Sequence, residues 1–296
     1  MKKLFFNAHG KIRCGWRLAL FLVCWLLLSS ILSLPASLWG WEGLRFEGSK
    51  PILRPDPWAM LLSALLVSFM LMRYLDKRPL GSLGLKFHAR WWKELLMGIG
   101  IGALLPFLLL AIKIQSLKVA WTLDLQGFLV LAMRGFRIAV TEELLFRGLP
   151  LQILIEGVGV TNAVLVTSIL FGFVHVQAQG WLALVTIGGS SILLAIAYLK
   201  TKALWMPIGI HFAWNYFNWI LDRIFHASSA PLLLSGFIVL FYTITTSAFL
   251  FLKLKPHPEM ETLWQQCVPI AQPWAQLKAW WARRKQAARD QTPPAS

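Results

Sequence analysis

Residues 18–38 read LALFLVCWLLLSSILSLPASL, an unbroken stretch without a charged side chain. At 1.5 Å per residue a helix of this length spans about 30 Å, the thickness of a bilayer's hydrocarbon core. Working outward, blocks of similar length recur as far as Ser228–Leu252. The whole chain of 296 residues is 57% hydrophobic and 14% charged. A soluble globular chain carries roughly 45–50% apolar and about 25% charged residues. That excess cannot be hidden from water, so an ordinary soluble enzyme and a disordered regulator are both excluded. The length would suit two soluble domains at roughly 100–200 residues each. For a membrane chain it is better read as one helical bundle over residues 1–252, followed by a basic, Trp-rich tail over 253–296.

The periodicity predicts an all-α polytopic transmembrane bundle of about eight spans. They fall near 18–39, 57–75, 94–115, 126–155, 160–176, 181–199, 203–221 and 230–252. The fourth is the least regular. It holds Arg134, Arg137, Glu142, Glu143 and Arg147, then Gly148 and Pro150. It reads either as one interrupted helix or as an amphipathic entry followed by a shorter span. The basic start before residue 18 resembles a signal peptide, but the apolar run is about twice the usual length and more spans follow. A retained first helix is expected.

The formal charge is +16, from 29 Lys and Arg against 13 Asp and Glu. The basic groups collect in short segments: the first 17 residues, 73–93, Lys200 with Lys202, and the tail. That distribution suits anionic lipid headgroups and not nucleic acid. Eight crossings place all these segments on one side, which the positive-inside rule makes cytoplasmic. The expected location is the cell membrane, with both termini in the cytoplasm. The tail reads either as an interfacial helix anchored by Trp264, Trp274, Trp280 and Trp281 or as a partly ordered cytoplasmic extension. Cys14, Cys24 and Cys267 are odd in number and lack a CxxC pair, which argues against a disulfide framework or thiolate metal site.

Polar groups inside apolar sequence mark candidate chemistry, because a buried charge is costly without a partner. Three clusters stand out. In Thr141–Gly148, TEELLFRG, Glu143 and Arg147 are four residues apart and can pair on one helix face. Glu142 lies about 100° further round and is free to face a cavity. One acid is then structural and the other chemical, unless the whole segment is a helix-end ion cluster. In Phe171–His175, FGFVH, ring and imidazole share a face. In His211–Asn215, HFAWN, imidazole and amide share a face near mid-bilayer. Gly98, Gly100 and Gly102 offer close helix contact. A carboxylate can deprotonate water with an imidazole orienting it. A second imidazole and an amide can stabilise an oxyanion. Such a set would hydrolyse an amide or ester without a Ser or Cys nucleophile; there is neither a G-x-S-x-G elbow nor HExxH. Glu142, His175 and His211 could instead hold zinc with a water in the fourth position.

With these three motifs in order, the chain resembles the CPBP family, also called the Abi or CAAX-protease-like intramembrane endopeptidases. The motifs are EExxxR at Glu142, Glu143 and Arg147; FxxxH at Phe171 and His175; and HxxxN at His211 and Asn215. They cover about 142–215, within a motif core of 126–221. The resemblance implies a bundle of about eight helices around a membrane-embedded proteolytic site. It implies Glu142 as the water-activating base, His175 as its partner, and His211 with Asn215 at the oxyanion. Glu143, Arg147 and Phe171 would support them. The family is often labelled metalloprotease, while its prenyl-protease relatives are argued to be metal-free. No cofactor is the preferred expectation, with zinc the alternative. The expected substrate is a peptide bond in a membrane-associated or membrane-delivered protein or peptide. Competing readings are a non-catalytic scaffold or bacteriocin-immunity protein of the same fold, and a transporter. A transporter would show symmetric halves with broken helices, and no such repeat is evident.

Overall fold

In the computed structural model, the structure describes residues 12–38, 44–47, 50–53, 56–113, 118–119, 124–226 and 231–267. The bundle is built from α1 (Cys14–Leu38), α2 (Pro57–Met70), α3 (Trp91–Lys113), α4 (Leu125–Phe146), α5 (Leu149–Val158), α6 (Val160–Val174), α7 (Val176–Gln179), α8 (Ala183–Thr201), α9 (Trp205–Ile224), α10 (Pro231–Phe251) and α11 (Pro258–Cys267). A π-helical turn, Leu71–Asp76, extends α2. Two short antiparallel pairs lie between helices: β1 (Leu44–Glu47) with β2 (Lys50–Leu53), and β3 (Lys118–Val119) with β4 (Phe225–His226).

Among the described residues four helices are long and apolar enough to cross a membrane: Cys14–Leu34, Pro57–Asp76, Trp91–Ala111 and Ala183–Thr201. Val160–Val174 and Phe237–Phe251 are apolar but shorter. The polar residues of the expected site lie on α4 and α9, and these lower the apolarity of both helices. Much of the apolar surface faces outward, as on α1 at Leu22, Val23, Leu26, Leu27 and Ile31. In water that would be a large unfavourable area, whereas lipid accepts it. These features make the protein a multi-pass helical membrane protein.

The interrupted fourth segment is resolved as α4 and α5, broken at Arg147–Gly148. A Cβ on Gly148 would stand 2.6 Å from the Leu144 carbonyl oxygen, so only glycine fits the turn. The α3–α9 pair is the most extensive helix contact. There a Cβ on Gly98 or Gly102 would lie 2.3 or 2.2 Å from the Met206 or Ile210 carbonyl, while Gly100 faces open space. Two of the three glycines therefore set the close approach that holds α9 in place.

One end of the bundle gathers the basic segments. Arg17 bonds Asp76 and Glu156, and Arg78 also bonds Glu156. Gln152 donates to the Ser82 carbonyl at 2.7 Å and to the Tyr198 hydroxyl at 2.8 Å. Tyr198 passes the chain on to the Leu83 carbonyl. Helix α11 covers this end. Trp264, 1% exposed, packs edge-on against Tyr198 at 5.3 Å, with the Lys202 ammonium 4.8 Å above its ring. Trp264 is therefore a plug in the protein core and fits neither reading of the tail, lipid-interface anchor or loose extension. Its role follows from a partner 66 positions away that sequence pattern does not reveal. Trp274, Trp280 and Trp281 lie outside the described residues.

Candidate active site

Glu142 and Glu143 occupy the last turn and a half of α4, on different faces as expected. Glu143 is fully buried. Its Oε1 accepts from Arg147 Nη1 at 2.9 Å and from His211 Nδ1 at 2.8 Å. Arg147, also fully buried, donates through Nη2 to the Ser191 hydroxyl at 2.6 Å on α8. Its guanidinium lies 4.4 Å from the Phe171 ring centroid. Two buried charges of opposite sign are thus paired and given further directional partners, while Glu143 Oε2 and Arg147 Nε have none among the described residues, so the compensation such a pair needs is partial. Ser191 was not singled out in the sequence, since nothing in an apolar run reports a contact 44 positions away.

Glu142 is partly exposed, and its Oε2 lies 3.7 Å from His175 Nε2 and 3.7 Å from His211 Nε2. These are approaches, too long for direct hydrogen bonds. The ring tautomers follow from the far side of each imidazole. His175 Nδ1 is 2.7 Å from the Phe171 carbonyl, which can only accept, so that nitrogen carries the proton. The carboxylate of Glu143 imposes the same tautomer on neutral His211. Both Nε2 atoms then present lone pairs toward Glu142 Oε2, which is itself buried and has no hydrogen-bond donor within the described protein. Three acceptors converge on a space that suits a proton-bearing molecule such as water.

Phe171 explains its own place in the pattern. Its carbonyl fixes His175, its ring face takes the Arg147 guanidinium, and its ring meets that of His211 edge-on at 5.8 Å. Asn215 lines a chamber of about 130 Å³ with His175, His211, Trp214, Ser190 and Tyr242. Asn218 bonds the Trp214 carbonyl at 2.7 Å. Glu142 also borders a second, wider space, a groove of about 770 Å³ between α2 and α4, lined by Trp58, Met133, Arg134 and Arg137. The carboxylate therefore stands where the groove and the histidine chamber approach each other.

The chain matches the family Type II CAAX prenyl endopeptidase Rce1-like over residues 124–217. The match begins at Asp124, the N-cap of α4, and ends two residues past Asn215 on α9. It covers about a third of the chain and includes every residue of the cluster. No curated protein and no solved structure gives a significant match. The match supports a membrane-embedded, peptidase-like role in general terms.

Among the described residues no group of three His, Cys, Asp or Glu side chains is set to hold a metal ion. The donor chemistry of Glu142, His175 and His211 nevertheless suits zinc. Both imidazoles turn a bare Nε2 toward the carboxylate, and Glu143 and the Phe171 carbonyl hold their Nδ1 protons, as outer partners of zinc-binding histidines do.

Proposed function

We propose that this protein is an intramembrane endopeptidase that hydrolyses a peptide bond of a membrane-associated protein or peptide, with a water activated by Glu142. The observation that carries this reading is the 3.7 Å convergence of Glu142 on two imidazoles drawn from two other helices.

A water in that space donates one hydrogen to Glu142 Oε2 and the other to His175 Nε2, leaving an oxygen lone pair for attack on a carbonyl. Glu142 takes the proton as the oxygen–carbon bond forms and delivers it to the leaving nitrogen as the carbon–nitrogen bond breaks. Asn215 donates its amide N–H to the developing oxyanion. His211, when protonated at Nε2, donates a second hydrogen bond, and the buried Glu143 carboxylate stabilises that imidazolium. Glu143 and Arg147 are positioning residues: they hold His211 and tie α4 to α8. Where zinc is bound, Glu142, His175 and His211 would hold it, and it would lower the pKa of a bound water. We favour the metal-free route because it leaves Glu142 free to act as base.

We read the bundle as eight-spanning with both termini in the cytoplasm, because basic segments of four separate regions meet at one end. The test is cleavage of a peptide library by purified protein in liposomes, compared with E142Q. Products from wild type and none from E142Q at equal folded concentration support the reading. Equal cleavage by both refutes it.

A further inference from the structure

The two ends of the bundle differ in access to Glu142. Between Glu142 and the basic end lie the buried Glu143–Arg147–Ser191 network and then the Gln152–Tyr198–Ser82 network. Leu144, Leu149, Leu204 and Ile208 fill the remaining space at 0% exposure, and Trp264 closes it from outside. Among the described residues the opposite end carries no such cover. The groove beside Glu142 reaches Pro57 and Trp58, the first turn of α2, and the histidine chamber reaches Gln179 in the connection between α6 and α8.

The groove is also charged. Arg134 and Arg137 are three residues apart on α4, with their guanidiniums over the rings of Trp219 at 5.0 Å and Trp58 at 5.4 Å. No ion pair involving either is found among the described residues. Asp56 is the carboxylate whose charge acts on Arg137, and its Oδ1 caps α2 by accepting from the Trp58 and Ala59 amides. Two cations without a contacting anion among the described residues, in a chain that spans lipid, call for water or an anionic ligand. At 1.5 Å per residue Arg137 and Arg134 lie about 7.5 and 12 Å along α4 from Glu142, within reach of a short extended peptide.

We propose that the groove lined by Trp58, Arg134, Arg137 and Glu142 is the substrate entrance from the non-cytoplasmic face, and that it admits peptides whose carboxylate docks on the two arginines. The proposal rests on the endopeptidase reading and on the orientation given above. The substrates are then segments exposed on the outer side of the membrane. Guanidinium–carboxylate pairs are geometrically selective, which suits an anchor that sets the distance to the scissile bond.

Thiol accessibility tests this without needing turnover, so its failure is distinct from failure of the peptidase reading. In a C14S/C24S/C267S background, M133C reports the groove, K86C the basic end and L104C a lipid-facing surface. With a membrane-impermeant maleimide, M133C should react in right-side-out vesicles, K86C only in inside-out vesicles, and L104C in neither. An acidic, hydrolysis-resistant peptide should slow M133C labelling at least tenfold, and its neutral amide analogue should not. R134Q/R137Q should abolish that protection. Reaction of M133C and K86C from the same side, or with the sides exchanged, overturns the entrance. Equal protection by the neutral peptide, or by vesicles of anionic lipid alone, overturns the peptide carboxylate.

Discussion

The basic half and the open half of the bundle use the same kinds of residue for opposite ends. Around Arg17, Glu156, Gln152 and Tyr198, each side chain is covered and makes at least one hydrogen bond to another part of the bundle, with Trp264 as lid, although single atoms such as Gln152 Oε1 and Arg17 Nε have no partner among the described residues. Around Glu142, the carboxylate, both Nε2 atoms and two guanidiniums face space. Pairing stabilises a fold, and unpaired convergent groups are where a reactant is held. The adjacent glutamates carry that contrast into one helical turn, since Glu143 has two partners on one oxygen and Glu142 has none within hydrogen-bond reach.

The largest effect should come from the open half. E142Q keeps the volume but removes the base, so turnover should fall about 10²–10⁴-fold with the unfolding transition unchanged. A parallel loss of thermal stability would move Glu142 into the structural class. In the paired network, E143Q leaves Arg147 buried against a neutral partner, which should cost about 3–5 kcal/mol. W264A should cost a similar amount, about 3–5 kcal/mol, by emptying the plug. The folded fraction of W264A should still cleave at the wild-type rate; a selective loss of its turnover would break the division between halves.

A smaller effect should appear with pH. Burial, aided by His257 and Arg90, holds the His88 pKa below its ordinary value of 6.5, with Glu259 opposing. The folded state then binds fewer protons than the unfolded state below that value. The His88 contribution to stability is full above about pH 6.5 and is lost as pH drops through the folded pKa. His88 stacks on His257, just before α11, and its Nε2 lies 3.3 Å from Glu94, which answers the same acidification, so the His88 share is read as the difference between wild type and H88Q: proteolysis after Pro258 should be more acid-sensitive in wild type than in H88Q. The smallest expected effect is none at all. Exhaustive chelation and dialysis should leave turnover intact, with no stoichiometric zinc by elemental analysis. Activity lost on chelation and restored by one zinc per chain would assign Glu142, His175 and His211 as ligands instead.

Much of this was legible in the sequence. Apolar blocks announced the four helices that are long and apolar enough to cross a membrane among the described residues, and the i,i+4 spacings of Glu143 with Arg147 and of Phe171 with His175 placed real contacts. The different surroundings of Glu142 and Glu143 followed from 100° of helix rotation. Contacts between distant segments were not legible. Ser191 under Arg147, Glu143 against His211 and Trp264 against Tyr198 depend on how helices pack, which no local period encodes. Nor does pattern separate Gly98 and Gly102, which touch α9, from Gly100, which does not. Arg134 and Arg137 looked like irregularities in a span until α2 placed Trp58 beside them.

The most direct test of the central claim is single-turnover cleavage by purified, folded wild type and E142Q against the same peptide in liposomes. Cleaved peptide should form with wild type, with a single solvent oxygen in each new carboxylate, and E142Q should bind the peptide with similar affinity but cleave it about 10²–10⁴-fold more slowly. Cleavage by E142Q at the wild-type rate would contradict the assignment of Glu142 as the base.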